Sequence, residues 1–160
     1  MRPRIFMIFC CVLLSVTAAM GQSTAQKAPD PLTEVRKAFD EVNGWVTTAA
    51  EAVPADKYNY RPTDSVRTFG QLIAHITYSY NYFCARGVGT KVEWNEPAET
   101  PTDKDTLLPK LKEAVGKCNA AYSSTNAQFG PLLGNVGHTS LHYGNIITYM
   151  RMIGLKPPSS

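Results

Sequence analysis

The sequence predicts an all-α domain built as a four-helix bundle. Three observations carry this. Four segments place apolar residues at three- and four-residue steps, proline and glycine punctuate the gaps between them, and no stretch alternates as a strand would.

The first helix is expected over 31–51. Asp30 stands at an N-cap position and Pro31 at the first helical position, where a missing N–H costs nothing. Leu32, Val35, Phe39, Val42 and Val46 then form one apolar face. Pro54 ends the helix, and 54–67, with Pro54 and Pro62, reads as a loop. Thr68 and Gln71 have capping-box spacing, which starts a second helix over 68–86. Its face is Phe69, Leu72, Ile73, Ile76, Tyr80 and Phe83, and Gly87 and Gly89 close it.

The connection 87–102 has 16 residues, including Trp94, Pro97 and Pro101. Adjacent antiparallel helices need far fewer, whereas a crossover between parallel helices 2 and 3 would use that length. The third helix is expected over 103–127, with Leu107, Leu108, Leu111, Val115 and Cys118 inward, and Gly130-Pro131 as punctuation after it. The fourth is expected over 135–153. Gly154 follows at the C-cap, and Pro157-Pro158 forbids continuation.

Ahead of the bundle, Arg2 and Arg4 precede an apolar run over 5–16. About a dozen residues are too few for a spanning helix, which needs roughly 20. Ala19-Met20-Gly21 supplies small residues at cleavage spacing, the pattern of a signal peptide over 1–21 cut before Gln22. Cys10 and Cys11 lie inside the apolar run without a small-residue lipoprotein motif ahead of them. Residues 22–29 read as a flexible leader and 30–160 as the bundle domain. The expected location is outside the cytoplasm, periplasmic or secreted, with no stable membrane anchor.

Arg2 and Arg4 are the only charged residues in 1–21, so the remainder carries 14 Lys+Arg against 13 Asp+Glu. That balance, with no basic run, argues against nucleic acid or an anionic membrane as partner. Cys84 and Cys118 remain after cleavage. In an oxidising compartment they form either a disulfide or two buried thiols, and spacing alone does not choose.

The chain has three histidines, His75, His138 and His142, and each falls in an expected helix. His138 and His142 are four apart and stack on one helix face, above Ile146, Tyr149 and Ile153. His75 sits midway along the second helix, beside Leu72 and Ile76. Three inward imidazoles would hold one divalent metal ion inside the bundle, with a ligand position left open as in catalytic zinc sites. The competing reading is three core histidines without metal.

Gly70-Gln71-Leu72-Ile73-Ala74-His75-Ile76 resembles the second-helix histidine motif of the DinB/YfiT-like metalloenzyme family. Gly137-His138-Thr139-Ser140-Leu141-His142-Tyr143-Gly144-Asn145, with the Gly154-Leu155-Lys156-Pro157-Pro158 ending, resembles its last-helix motif. The loop from Pro54 to Pro62, with Tyr58, Tyr60 and Arg61, is similar as well. The resemblance implies a four-helix bundle in up-down-down-up order, a divalent metal on His75, His138 and His142, and a homodimer. It also implies, for some members, activation of a low-molecular-weight thiol. Tyr143 stands where many members have Arg, and Asn145 where many have Gln.

Tyr78, Tyr82, Tyr143 and Asn145 lie near the histidines by helical spacing, as outer donors or substrate contacts, or as ordinary packing residues. Cys84, nine residues from His75, falls on the far side of the helix and is no ligand. Trp94 reads as a cap on the bundle end. No acid lies at helical spacing from a histidine. Glu41 on the first helix is the one candidate base. The expected function is a metal-dependent enzyme of hydrolase or thiol-transferase type, with zinc or nickel bound and a small-molecule substrate. The alternative is a non-catalytic metal- or ligand-binding module.

Overall fold

A computed structural model describes residues 28–97 and 100–160. The signal peptide expected over 1–21, Cys10 and Cys11 included, and most of the leader lie outside the described residues.

Among the described residues four helices form the fold: α1 Pro31–Ala52, α2 Phe69–Gly87, α3 Lys104–Tyr122 and α4 Phe129–Met152. The Asp30 side chain caps α1 at Thr33, with Pro31 at the first helical position. Both halves of the Thr68–Gln71 capping box are made at the start of α2. One 3-10 turn, Ala55–Lys57, interrupts the loop after α1.

Two boundaries differ from those expected. Helix α3 stops at Tyr122 rather than 127. There the Ser123 hydroxyl bonds the Asn119 carbonyl and Ser124 Oγ accepts from the Asn126 N–H, so side chains satisfy groups that further helix would have used. Helix α4 begins at Phe129 rather than 135, passing through Gly130 and Pro131. Pro131 is its third residue, and a first-turn N–H has no partner four residues back, so proline loses nothing there.

End-to-end contacts fix the directions. A Cβ on Gly70 would press on Thr102, just ahead of α3, and Cys84 near the end of α2 is bonded to Cys118 near the end of α3. Helices α2 and α3 therefore run the same way, using the 16-residue connection from Val88 to Asp103. Helix α4 opposes α2: its start meets the end of α2 where Leu132 faces Gly87, and near its end the Tyr149 hydroxyl donates to the Arg67 carbonyl. Helix α1 opposes α3. Lys104 Nζ donates to the Glu51 and Val53 carbonyls at 2.6 and 2.8 Å and finishes the end of α1.

The core is aromatic at its centre. Phe39 stacks on Tyr122 with centroids 4.4 Å apart and meets Tyr80 edge-on at 5.5 Å. Val42, Val46, Ile73, Ile76, Leu111, Leu132 and Ile146 are buried around them. The Cys84–Cys118 bridge, with Cα atoms 5.1 Å apart, lies beside this cluster. Among the described residues no helix is long and apolar enough to cross a membrane.

Candidate metal centre

The core-facing line of α4 is Leu132, Asn135, Thr139, Ile146 and Met150, all buried. His138 and His142 stand beside that line, half-buried, facing α2. The three histidines are thus brought together between α2 and α4, His75 buried and the other two half-buried, as the helical pattern suggested. The rings are largely withdrawn from water there: the Nδ1 atoms of His138 and His142 are buried without a hydrogen-bond partner among the described residues.

There His75 Nε2 lies 3.1 Å from His138 Nε2 and 3.1 Å from His142 Nε2. The three form a group able to hold one metal ion. An N–H can fill the gap between two such nitrogens, but three nitrogens facing one point share it poorly without a cation. The spacing matches ligands each about 2.0–2.1 Å from one ion.

The protonation states agree. His75 Nδ1 is 2.8 Å from each oxygen of Glu96. An Nδ1–H donating to that carboxylate leaves Nε2 with its lone pair directed at the other two rings. Burial, then the neighbouring imidazoles His142 and His75, lower the His138 pKa to about 4. Burial, then His75 and the charge of Arg67, lower that of His142 to about 4. Both rings of α4 are therefore neutral near pH 7, the form that binds metal.

Glu96 escapes a search by helical spacing because it comes from the crossover, 21 residues after His75. Its side chain is only 23% exposed, and Arg67 Nη2 stands 3.8 Å from its Oε2. Glu41, the candidate base, is exposed on α1, and the carboxylate that reaches a histidine is Glu96 instead. The local signal was faint, an acid two residues after the loop tryptophan.

Trp94 also departs from expectation. It does not cap the bundle end but covers the histidines, with its ring 5.7 Å from His75 and 6.0 Å from His138. Tyr78, Tyr82 and Phe83 of α2 surround it, and Phe83 reaches His138 at 5.6 Å. Tyr78 does not touch a histidine through its hydroxyl, which instead accepts the Asn95 N–H and pins the crossover between Trp94 and Glu96. Tyr143 turns away, stacking on Trp45 at 5.3 Å and bonding Ser159 through its hydroxyl. Its next-neighbour position to His142 puts it about 100° around the helix. Asn145 is exposed and lines a cleft of about 690 Å³ together with His142, Arg67, Leu72 and Tyr149. Cys84 is bonded to Cys118, away from the three imidazoles.

Comparison with known proteins agrees with this architecture. The model of the DinB superfamily matches residues 38–147. A solved DinB-like protein from Bacillus cereus has the same fold, with a TM-score of 0.63 at 15% identity, covering 79% of this chain and 95% of that one. No curated protein sequence matches the chain.

Proposed function

Since the chain belongs to the DinB superfamily and gathers three imidazoles around one point, we propose that it is a metal-dependent enzyme acting on a small molecule. The observation that carries this is the convergence of three Nε2 atoms with Glu96 fixing the tautomer of one. The ion proposed is zinc or nickel, both of which neutral imidazole suits. The bound ion would act as a Lewis acid toward water, a thiol or a substrate oxygen.

The protein's own residues supply the rest. His75, His138 and His142 provide only neutral donors, so an anionic or polarisable reactant is attracted to the centre. Glu96 holds His75 in place, and Trp94 with Phe83 excludes water from one side. Three protein nitrogens, with no fourth protein ligand among the described residues, are the donor set of catalytic rather than structural zinc sites. Hydrolysis and thiol transfer both fit such a centre.

One observation favours a binding role without turnover. Glu96, the carboxylate in contact with the histidines among the described residues, has both oxygens engaged by His75 and is poorly placed as a general base. Cobalt substitution separates the two readings. Azide, cyanide or a small thiol at millimolar concentration should shift the ligand-field bands. A spectrum moved by none of them means a closed site, and the enzyme reading then fails.

Export belongs to the same reading. It is supported by the charge and hydropathy pattern of the first 21 residues and by the Cys84–Cys118 bridge. N-terminal sequencing of protein recovered from the periplasm or medium should begin at Gln22. Recovery of the protein only from the cytoplasm, with Met1 intact, would overturn it.

A further inference from the structure

We propose that the cleft beside His142 binds the carboxylate of an organic-acid substrate, with Arg67 as its partner. The inference rests on the metal-centre reading for its orientation, but its test does not depend on that reading alone.

The cleft is the approach to the histidines. At about 690 Å³ it lies within the range that holds small organic ligands. His142 is the one histidine of the three on its wall. Trp94 contacts both His75 and His138, and Phe83 contacts His138, so those two rings are screened from the crossover side. A molecule in the cleft meets the centre past His142.

Among the described residues the wall of the cleft has one charged side chain, Arg67, and no carboxylate. Arg67 is half-exposed, its side chain 49% accessible. Among the described residues its guanidinium makes one ionic contact, to Glu96 at 3.8 Å, beyond hydrogen-bond range. The planar fork therefore has donors to spare, and a carboxylate accepts two of them in parallel. Its backbone is fixed. The Tyr149 hydroxyl holds the Arg67 carbonyl at 2.8 Å, and the next residue, Thr68, is locked in the capping box. A cation anchored at a helix entrance is a better-defined recognition element than one on a free loop.

The remaining lining suits the rest of such a molecule. Leu72, Val66 and Pro62 offer apolar surface, and the Asn145 amide offers a donor and an acceptor beside His142. The cleft thus combines a guanidinium, an apolar wall and an amide next to the three imidazoles.

Calorimetric titration with benzoate, phenylacetate and octanoate, each against its neutral amide, tests the proposal. At least one acid should bind zinc-loaded protein at least tenfold more tightly than its amide. Arg67→Gln should weaken that acid tenfold or more while elemental analysis still finds one zinc per chain, and Arg67→Lys should recover part of the loss. Equal binding of acid and amide, no binding of any acid, or unchanged affinity in Arg67→Gln would each overturn it. Failure of the wild-type chain to hold zinc is a separate result. It would end the metal reading, while Arg67-dependent binding of an acid to the metal-free protein would still establish the carboxylate site.

Discussion

Both oxygens of the Glu96 carboxylate sit 2.8 Å from His75 Nδ1, across 21 residues of sequence. A histidine ligand held this way presents a single tautomer and a single ring orientation, and its basicity rises. Glu96→Ala should therefore weaken metal affinity 10–100-fold without abolishing binding, and Glu96→Gln, which still accepts from Nδ1–H, should weaken it less. His138→Ala or His142→Ala removes a ligand itself and should reduce stoichiometry from one metal per chain to below about a tenth in elemental analysis. Competition with a chromophoric chelator measures the Glu96 variants. Affinity unchanged in Glu96→Ala would mean that the carboxylate does not position the ligand.

Much of this arrangement was legible in the sequence, and the reasons are specific. Helix α2 announced itself through Thr68 and Gln71, whose capping box is purely local chemistry, and α1 through Asp30-Pro31. The histidine group was readable because His138 and His142 are neighbours on any helix, and His75 was the one other imidazole available. What could not be read depends on the crossover. Glu96 and Trp94 have no periodicity, and their positions follow from the path of the chain between α2 and α3, which local pattern does not encode. The same holds for Arg67, whose importance arises from which helix packs beside it. The early start of α4 was missed because Gly130-Pro131 reads as punctuation, whereas a proline in a first turn loses no hydrogen bond.

Acid should unfold the metal-free protein through its histidines. His138 and His142 have pKa values lowered to about 4, chiefly by burial, from an ordinary value of 6.5. Between those values the unfolded chain binds more protons than the folded one, so stability falls as pH falls. Their contribution is fully present above pH 6.5 and is lost as the pH drops from there toward about 4. The urea midpoint of metal-free protein should decline across this window. The decline should be smaller in a His138→Ala/His142→Ala double variant. An equal slope in both proteins would assign the acid sensitivity elsewhere.

The bond between Cys84 and Cys118 spans 34 residues, a loop that includes the entire crossover. Closing a loop of that length stabilises the fold by about 3–4 kcal/mol in the chain-entropy model. Reductant, or Cys84→Ala with Cys118→Ala, should lower the denaturation midpoint accordingly. The histidines are held by α2 and α4, so metal stoichiometry at low temperature should survive. Alkylation of protein isolated from its native host without reduction, followed by mass spectrometry, should label neither cysteine. Two labelled thiols would refute the bridge.

Gly70 opens the motif that contains His75, and its position explains why glycine stands there. The Gly70 N–H bonds the Tyr58 carbonyl at 2.7 Å, and a Cβ on Gly70 would collide with the Thr102 carbonyl where the crossover rejoins the bundle. Backbone on both sides leaves little room to yield, so Gly70→Ala should destabilise by about 1–3 kcal/mol, the usual cost of overpacking. Because Thr102 ends the segment that carries Trp94 and Glu96, the same change should also weaken metal binding. Gly116 is the control. It lies within α3, is exposed, and a Cβ there meets nothing within 4 Å. Gly116→Ala should stabilise by about 0.5–1 kcal/mol through helix propensity alone and leave metal affinity unchanged. Urea denaturation and chelator competition on both variants check the pair. If Gly70→Ala matched Gly116→Ala in sign, the close approach of the crossover to α2 would not be what glycine at this position serves.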